Sequence, residues 1–584
     1  MRKKFLLVVC LTVAVFLGIF PGIALALELQ KAPLNPEFVE YQKRLETAAS
    51  REGPFYGYVP APVDLSHVKG PIFKGLQTAA YPSTYDLRNI SGTSYVTPVR
   101  NQNPFGTCWA FGTLASLEST TLRNKQGLFT AATPDYSEWH LAYFAYVDQT
   151  TDLVAFTTDT PGFGDHPIFD QGGSVFQSTA ILARWTGAVN ETDCPYWNTD
   201  ATPPPTALPT GSEPRSRWLT SVILLGESET TPYVQDDVKY ALTYYGACAI
   251  RFCVQGNMGA TPDDYWNPAT NSYYAASSAS TGGHIVTIVG WDDTYPAGNF
   301  RTTPPGDGAW IVKNSWGTGW GDNGYFYLSY YDANIGYPAV FLGNNTTFEY
   351  IYQYDPLGWT NSYGYGSPTA YFANVFVAGT GSSASGPLKN AATEALKAIS
   401  FYMATPGSSY NIWVYTGVTG SPATGTLAYG PEANVFTAPG YYTIILDEEI
   451  PLVPGEKFAV VVELTTPGHN WPIPVENLEV GYSDKARAHA GESYISANGT
   501  AWTDITTIAG HEDTNVALKA FTGTYTGPTV TPTGTPTITP TGTPLTPTRI
   551  PTPGGSSGGG GGCSALGLAP LGLLFLLPLL VLKK

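Results

Sequence analysis

The sequence predicts an α+β domain followed by an all-β sandwich domain. Three observations carry this. Between residues 81 and 345, stretches with helical spacing of apolar residues mix with short alternating stretches bounded by Gly, Asp and Asn. Between 350 and 525 cysteine disappears and alternating runs recur: Ile399-Phe401-Met403, Tyr410-Ile412-Val414, Tyr442-Ile444 and 458–464. Gly, Pro, Ser or Asn separate these runs, which is the pattern of a β-sandwich. Finally, 584 residues are too many for one domain at a prior of roughly 150 residues each.

Composition narrows the class. Charged residues make up 13 % of the chain, about half the usual share, while Tyr (38), Gly (63) and Pro (48) are abundant. This is an extracellular, loop-rich and β-rich balance. A net charge of -17 argues against a nucleic-acid partner, because phosphate binding needs clustered Lys and Arg. The acidity suits a soluble secreted protein.

Along the chain, residues 1–26 read as a signal peptide. Arg2, Lys3 and Lys4 precede an apolar run over 5–20, and Ala24-Leu25-Ala26 forms a small-x-small cleavage site. An uncleaved membrane anchor is the alternative. Residues 27–80 are Pro-punctuated, with one short helix expected over 38–47 and an extended stretch over 57–62. Their place between signal and core marks a short pro-segment. In 81–345, a helix is expected over 107–122, and strands over 284–291, 310–313 and 325–330. The sandwich occupies 350–525.

Residues 526–562 form a linker, with Thr-Pro repeats of polyproline-like character and a glycine run at 558–562. Residues 563–584 contain an apolar stretch just long enough to span a bilayer, closed by Lys583-Lys584.

Six cysteines are present: Cys10 in the signal, Cys563 in the tail, and Cys108, Cys194, Cys248 and Cys253 in the body. Cys248 and Cys253 lie five apart in a strand-like run, which puts them on opposite faces and argues against their pairing. At most one disulfide is expected in the body if Cys108 is reactive.

Three motifs carry chemistry. The first is Gln102-Asn103-Pro104-Phe105-Gly106-Thr107-Cys108-Trp109. A reactive thiolate needs a depressed pKa, and a helix N-terminus and a nearby imidazolium both lower it. Cys108 opens the expected helix. Its own N–H and the Gln102 side-chain amide can supply two donors to a developing oxyanion. The second motif is Gly282-Gly283-His284-Ile285-Val286. The third is Lys313-Asn314-Ser315-Trp316-Gly317-Thr318-Gly319-Trp320-Gly321.

In these residues the chain resembles the papain family of cysteine peptidases. The family pattern around the nucleophile is Cys-Gly-Ser/Ala-Cys-Trp/Tyr, and here it reads Phe105-Gly106-Thr107-Cys108-Trp109. The resemblance implies a two-lobed α+β peptidase over 81–345, with Cys108 as nucleophile, His284 as general base, Asn314 orienting that base, and Gln102 in the oxyanion hole. Trp316 would shield the His284–Asn314 bond from water. Phe105 replaces the family's first cysteine, so that disulfide is not needed. Gly283 stands where Asn or Asp commonly precedes the histidine, which alters one wall of the substrate pocket.

The separations from Cys108 to His284 and Asn314 exceed the family's usual spacing of about 130–150 residues. Pro- and Thr-rich insertions at 148–167 and 199–213 account for the excess. Tyr136-Ser137-Glu138-Trp139-His140-Leu141 resembles the family's Leu-Ser-Glu-Gln-x-Leu. Asp170-Gln171-Gly172-Gly173-Ser174 resembles its Asn-Gly-Gly turn, so Gly172 and Gly173 would pair with an extended substrate, and Ser174 and Val175 would border the specificity pocket.

The sandwich is similar to lectin-like domains that follow some papain-type peptidases. A glycan ligand through Trp413, Trp471 or Trp502 is therefore an expectation, with core packing as the alternative. The tail resembles glycine-serine-plus-hydrophobic sorting signals of bacterial envelopes, whose helix a membrane protease removes; a simple C-terminal anchor is the alternative.

The resulting expectation is a secreted cysteine endopeptidase, held at the cell envelope or surface through its C-terminal segment. It would act on protein or peptide substrates through an acyl-enzyme, with no cofactor, no metal and no nucleic-acid partner. A catalytically inert surface adhesin or carbohydrate-binding protein is the competing function.

Overall fold

The computed structural model describes residues 28–47, 56–73, 75–76, 80–124, 134–147, 167–197, 209–226, 232–279, 282–345, 348–381 and 394–527. The expected signal peptide, the 148–166 and 199–208 stretches of the insertions, the linker beyond 527 and the C-terminal segment lie outside them. Among the described residues no helix is long and apolar enough to cross a membrane.

Among the described residues, five α-helices and one large sheet build the first half. Helix α1 is Pro36–Thr47, α2 Cys108–Asn124, α3 Glu138–Tyr146, α4 Val175–Ala183 and α5 Pro232–Tyr244. Proline opens α1 and α5, where its missing N–H costs nothing. Ser137 and Ser174 cap α3 and α4 by accepting from the backbone N–H of His140 and Gln177. Nearly every side chain of α2 is buried, which makes it the central helix of the unit. It lies tight against strand Gly283–Asp292 because Gly112 has no side chain: a Cβ there would meet Ile285 Cγ2 at 2.6 Å.

The sheet is antiparallel across Trp218–Leu224, Gly336–Asn344, Cys248–Cys253, Gly283–Asp292, Ala309–Lys313 and Tyr325–Ser329, taken in spatial order. Val286, Ile288, Val312, Phe326 and Leu328 fill its core. Expected helix and strand positions agree with these elements to within about two residues.

The second half is all β. A six-stranded sheet orders Thr426–Phe436, Ser408–Thr416, Lys457–Thr465, Thr369–Val377, Ser493–Ser496 and Thr503–Asp504. Tyr350–Tyr352, Leu518–Thr524, Glu394–Met403 and Gly440–Pro451 form further strands, and their apolar residues share one core with the six-stranded sheet.

The two halves are continuous. Strand Gly440–Pro451 pairs with Trp218–Leu224 through Gly440↔Ile223, Tyr441↔Val222 and Tyr442↔Ser221, so one 13-stranded sheet runs through both. The approach at the join requires glycine, since a Cβ on Gly440 would meet the Val222 carbonyl oxygen at 1.9 Å. Trp185 and Phe348 stack with Phe521 beside it.

The described parts of 28–80 are packed in rather than draped outside. Strand Gln30–Lys31 pairs with Asn361–Gly364 of the β-rich half. Phe38, Val59, Leu65 and Val68 are buried in the peptidase-side core. The four body cysteines are all free.

Candidate active site

Strand and helix register bring the expected residues together. Cys108 is the first residue of α2 and is fully buried. Its Sγ accepts from the backbone N–H of Ile285 at 3.3 Å. Ile285 follows His284 on the central strand, so the thiol meets the strand that carries the imidazole. His284 Nε2 lies 2.8 Å from Asn314 Oδ1. The Ser315 N–H donates to that same oxygen at 2.8 Å. The oxygen is therefore the acceptor and His284 carries its proton on Nε2. Nδ1 is buried with no hydrogen-bond partner among the described residues. Trp316 stacks on the imidazole, with ring centroids 5.0 Å apart, and covers one face of it.

Gln102 is also buried. Its Oε1 accepts from Ser315 Oγ at 2.6 Å, which fixes the amide so that Nε2 points outward as a donor. Nε2 donates to the carbonyls of Phe105 at 3.0 Å and Tyr56 at 2.9 Å. Thr107 is tied in as well. Its hydroxyl lies 2.7 Å from the Tyr196 hydroxyl, which donates to the Gln102 carbonyl.

The Gly172-Gly173 turn behaves as a pairing edge. Gly173 donates to the Gly57 carbonyl at 2.8 Å and accepts from the Val59 N–H at 2.9 Å. A Cβ on Gly173 would meet Trp109 at 2.5 Å, so only glycine lets this backbone lie over the helix that carries Cys108. Gly172 has φ +85° and accepts from the Tyr146 hydroxyl at 2.7 Å. Ser174 and Val175 line a cavity with Phe176, Arg251, Ile285 and Tyr337, and the Tyr58 ring enters it. Gly283 makes room for that ring: a Cβ there would meet Tyr58 Cδ1 at 2.4 Å.

Residues 56–59 thus lie over the site, and its reactive pair is fully buried. Burial pushes the Cys108 thiol up to about 12, against smaller lowering by the Ile285 and Trp109 N–H groups. Burial also pulls His284 down to about 4, against the raising effect of Asn314. Sequence reasoning expects a depressed thiol at a helix N-terminus. In the covered form the expectation fails, because desolvation of the charged pair outweighs the helix dipole. Cys108 and His284 are a neutral thiol and a neutral imidazole here.

Sequence reasoning missed Tyr56, Glu37, Arg251, Ser315 and Tyr196. Arg251 left a signal, being the one charged residue in the apolar run Ala247-Cys248-Ala249-Ile250-Arg251-Phe252-Cys253. Ser315 stands inside the third motif, where no role was assigned to it, and Tyr56, Glu37 and Tyr196 left no signal. Trp413, Trp471 and Trp502 are half-buried in the β-rich half. Among the other histidines, His140 faces Glu213, and His67 stacks on His469 at 4.1 Å. Among the described residues no group of His, Cys, Asp and Glu could hold a metal ion.

Comparison with known proteins adds to this geometry. Residues 81–141 and 169–338 match the papain family cysteine protease model, and 351–522 match the lectin-like domain model. The peptidase match skips 142–168, the neighbourhood of the first expected insertion. The chain is 24 % identical over 270 residues to a gut-specific cysteine proteinase of Caenorhabditis elegans, covering 44 % of this chain and 71 % of that protein. It is 29 % identical over 236 residues to cysteine proteinase 2 of Entamoeba histolytica, covering 39 % of this chain and 59 % of that one, under two thirds of its length. In fold it is similar to the cysteine protease and lectin-like domains of Cwp84, a surface layer associated protein of Clostridium difficile. That likeness has a TM-score of 0.66 at 23 % identity over 85 % of this chain and 98 % of the other.

Proposed function

The chain carries a papain-family cysteine peptidase domain followed by a lectin-like domain, and on that premise we propose that it is a secreted, envelope-associated endopeptidase held latent by residues 27–80. In this reading the Cys108 thiolate attacks the scissile carbonyl and His284 protonates the leaving amine. The acyl-enzyme is then hydrolysed by a water that His284 deprotonates. Asn314 holds the imidazole with Nδ1 free for the thiol. The Cys108 N–H and Gln102 Nε2 receive the oxyanion.

One observation carries the reading: Gln102 Nε2, fixed by Ser315, already binds a main-chain carbonyl, that of Tyr56. A carbonyl on that donor is what a substrate would present. Tyr56 also stands against both His284 and Trp316, with centroids 5.4 Å from each. Residues 56–59 therefore fill the place of a substrate and exclude one. Removing them rehydrates the pair, which favours thiolate and imidazolium.

The surface location rests on the sequence of the two termini and on the fold likeness to a surface layer associated protein. A glycan ligand for the lectin-like domain is supported by the family match and the half-buried tryptophans.

A thiol-reactive peptidyl probe tests the central claim. Protein starting near Tyr81 should be labelled at Cys108 and should cleave casein, and the Cys108→Ala form should do neither. Hydrolysis by the pure alanine form would refute the assignment. An inert adhesin predicts neither labelling nor cleavage by either protein. Deleting 563–584 should move the protein from the envelope fraction to the medium, and unchanged partitioning would remove the tail as anchor.

A further inference from the structure

Beside the catalytic residues lies a charged group that the reaction does not use. Arg251 sits in strand Cys248–Cys253, between apolar neighbours, and lines the cavity bordered by Tyr58, Ser174 and Val175. One amine donates to the Asn334 carbonyl at 3.1 Å. The other is bonded to the Glu37 carboxylate, whose second oxygen accepts from the Tyr58 hydroxyl at 3.2 Å. The Tyr58 ring lies over the guanidinium, 5.5 Å from its carbon. Arg251 Nε is buried without a hydrogen-bond partner among the described residues.

Both Glu37 and Tyr58 belong to the 27–80 segment. Tyr58 is the residue flanked by the two backbone bonds to Gly173. Any extended chain held by Gly173 in the same manner sends its flanked side chain toward the cavity that ends at Arg251. We propose that Arg251 selects an acidic side chain, glutamate or aspartate, at the substrate residue that pairs with Gly173.

This rests on the peptidase reading and names its substrate class. When residues 27–80 leave, Arg251 loses its carboxylate partner and keeps only a carbonyl. The remaining acid near it is Asp332, already accepting from the N–H groups of Ala275 at 2.8 Å and Asn334 at 2.9 Å. A buried guanidinium without an anion is costly, so a carboxylate that enters the cavity is favoured and an ammonium is repelled. The planar fork of arginine matches a carboxylate better than a lysine ammonium would. Glu37 then acts as the intramolecular stand-in for the substrate's acid.

The test uses the full chain, folded intact and then cleaved before Tyr81, and internally quenched peptides whose cleavage site is mapped by mass spectrometry. At each of the two residues preceding the scissile bond, Glu, Gln, Leu and Lys are compared. At one of them, Glu should exceed Gln by about tenfold or more in kcat/KM, with Lys lowest. Arg251→Gln should bring Glu and Gln level, Arg251→Glu should favour Lys, and Arg251→Lys should keep a reduced preference for Glu. A Glu-to-Gln ratio within about twofold at both positions in the wild-type enzyme overturns the proposal, as does an unchanged ratio in Arg251→Gln. The wild-type comparison decides even if a variant fails to fold. Cleavage of the same peptides by Cys108→Ala would instead overturn the peptidase reading itself.

Discussion

Gln102 donates its side-chain amide to the carbonyl of Tyr56 at 2.9 Å, so one residue of the expected catalytic set holds the segment that covers it. The same nitrogen has two consequences. It fixes the cover while the cover is present, and it is available to an oxyanion once the cover is gone.

Gln102→Ala should therefore act in opposite directions on the two forms. In protein freed of residues 27–80, kcat should fall on the order of 100-fold with little change in KM, as when one oxyanion donor is removed. In the full chain, labelling of Cys108 by a thiol reagent should become faster. Unchanged kcat in the freed enzyme would exclude the amide from the reaction.

Gly57 has φ +114°, and a Cβ there would meet the Gly106 carbonyl oxygen at 2.1 Å. Gly57→Ala should dislodge the cover without touching the mature enzyme. We expect thiol labelling of the intact chain to rise by about tenfold or more, since a penalty of only about 1.4 kcal/mol shifts an opening equilibrium that far. If labelling stays at the wild-type rate, the segment is held elsewhere.

Acid should withdraw the stability that two buried neutral histidines contribute. His284 is lowered to about 4 and His469 to about 3, each chiefly by burial, with His67 adding to the second. The unfolded chain binds these protons near 6.5. Between that value and the folded pKa values the unfolded state therefore holds more protons, and stability falls as pH falls. Their contribution is fully present above about 6.5 and is lost on descent toward 4 and 3. Buried carboxyls oppose this, since Asp332 and Glu191 are raised to about 7 and Asp237 to about 6 and gain stability as they protonate. The expected outcome is therefore differential: from pH 7 to 4 the melting temperature of His469→Phe should fall less, or rise more, than that of the wild-type chain. A profile from pH 7 to 4 that the substitution leaves unchanged would remove His469 from the effect.

Truncation after residue 345 should not yield a well-behaved peptidase. Strand Trp218–Leu224 would lose its pairing with residues 440–442, and Trp185 its stack on Phe521. An unpaired edge beside exposed aromatics promotes association. Size-exclusion chromatography should show aggregation or a lower melting temperature relative to the full chain. A stable monomer would mean that the shared sheet is dispensable.

The sequence alone determined the local structure and the identities of the expected site. Apolar spacing at 3.6 and 2 residues fixes α2 and the strands around His284 and Asn314, because each period follows from backbone geometry that no distant contact alters. The Cys108, His284 and Asn314 motifs are legible because each is a short run of chemically demanding residue types. Only the tertiary structure decided what covers them. That Tyr56 reaches Gln102, that Glu37 meets Arg251 214 positions away, and that Gly440 joins Ile223 are pairings across long stretches of chain. No local pattern encodes such pairings, since they arise from how complementary surfaces close on one another. The protonation of the site follows from tertiary packing as well: helix position favours a thiolate, and full burial of Cys108 pushes it toward the thiol.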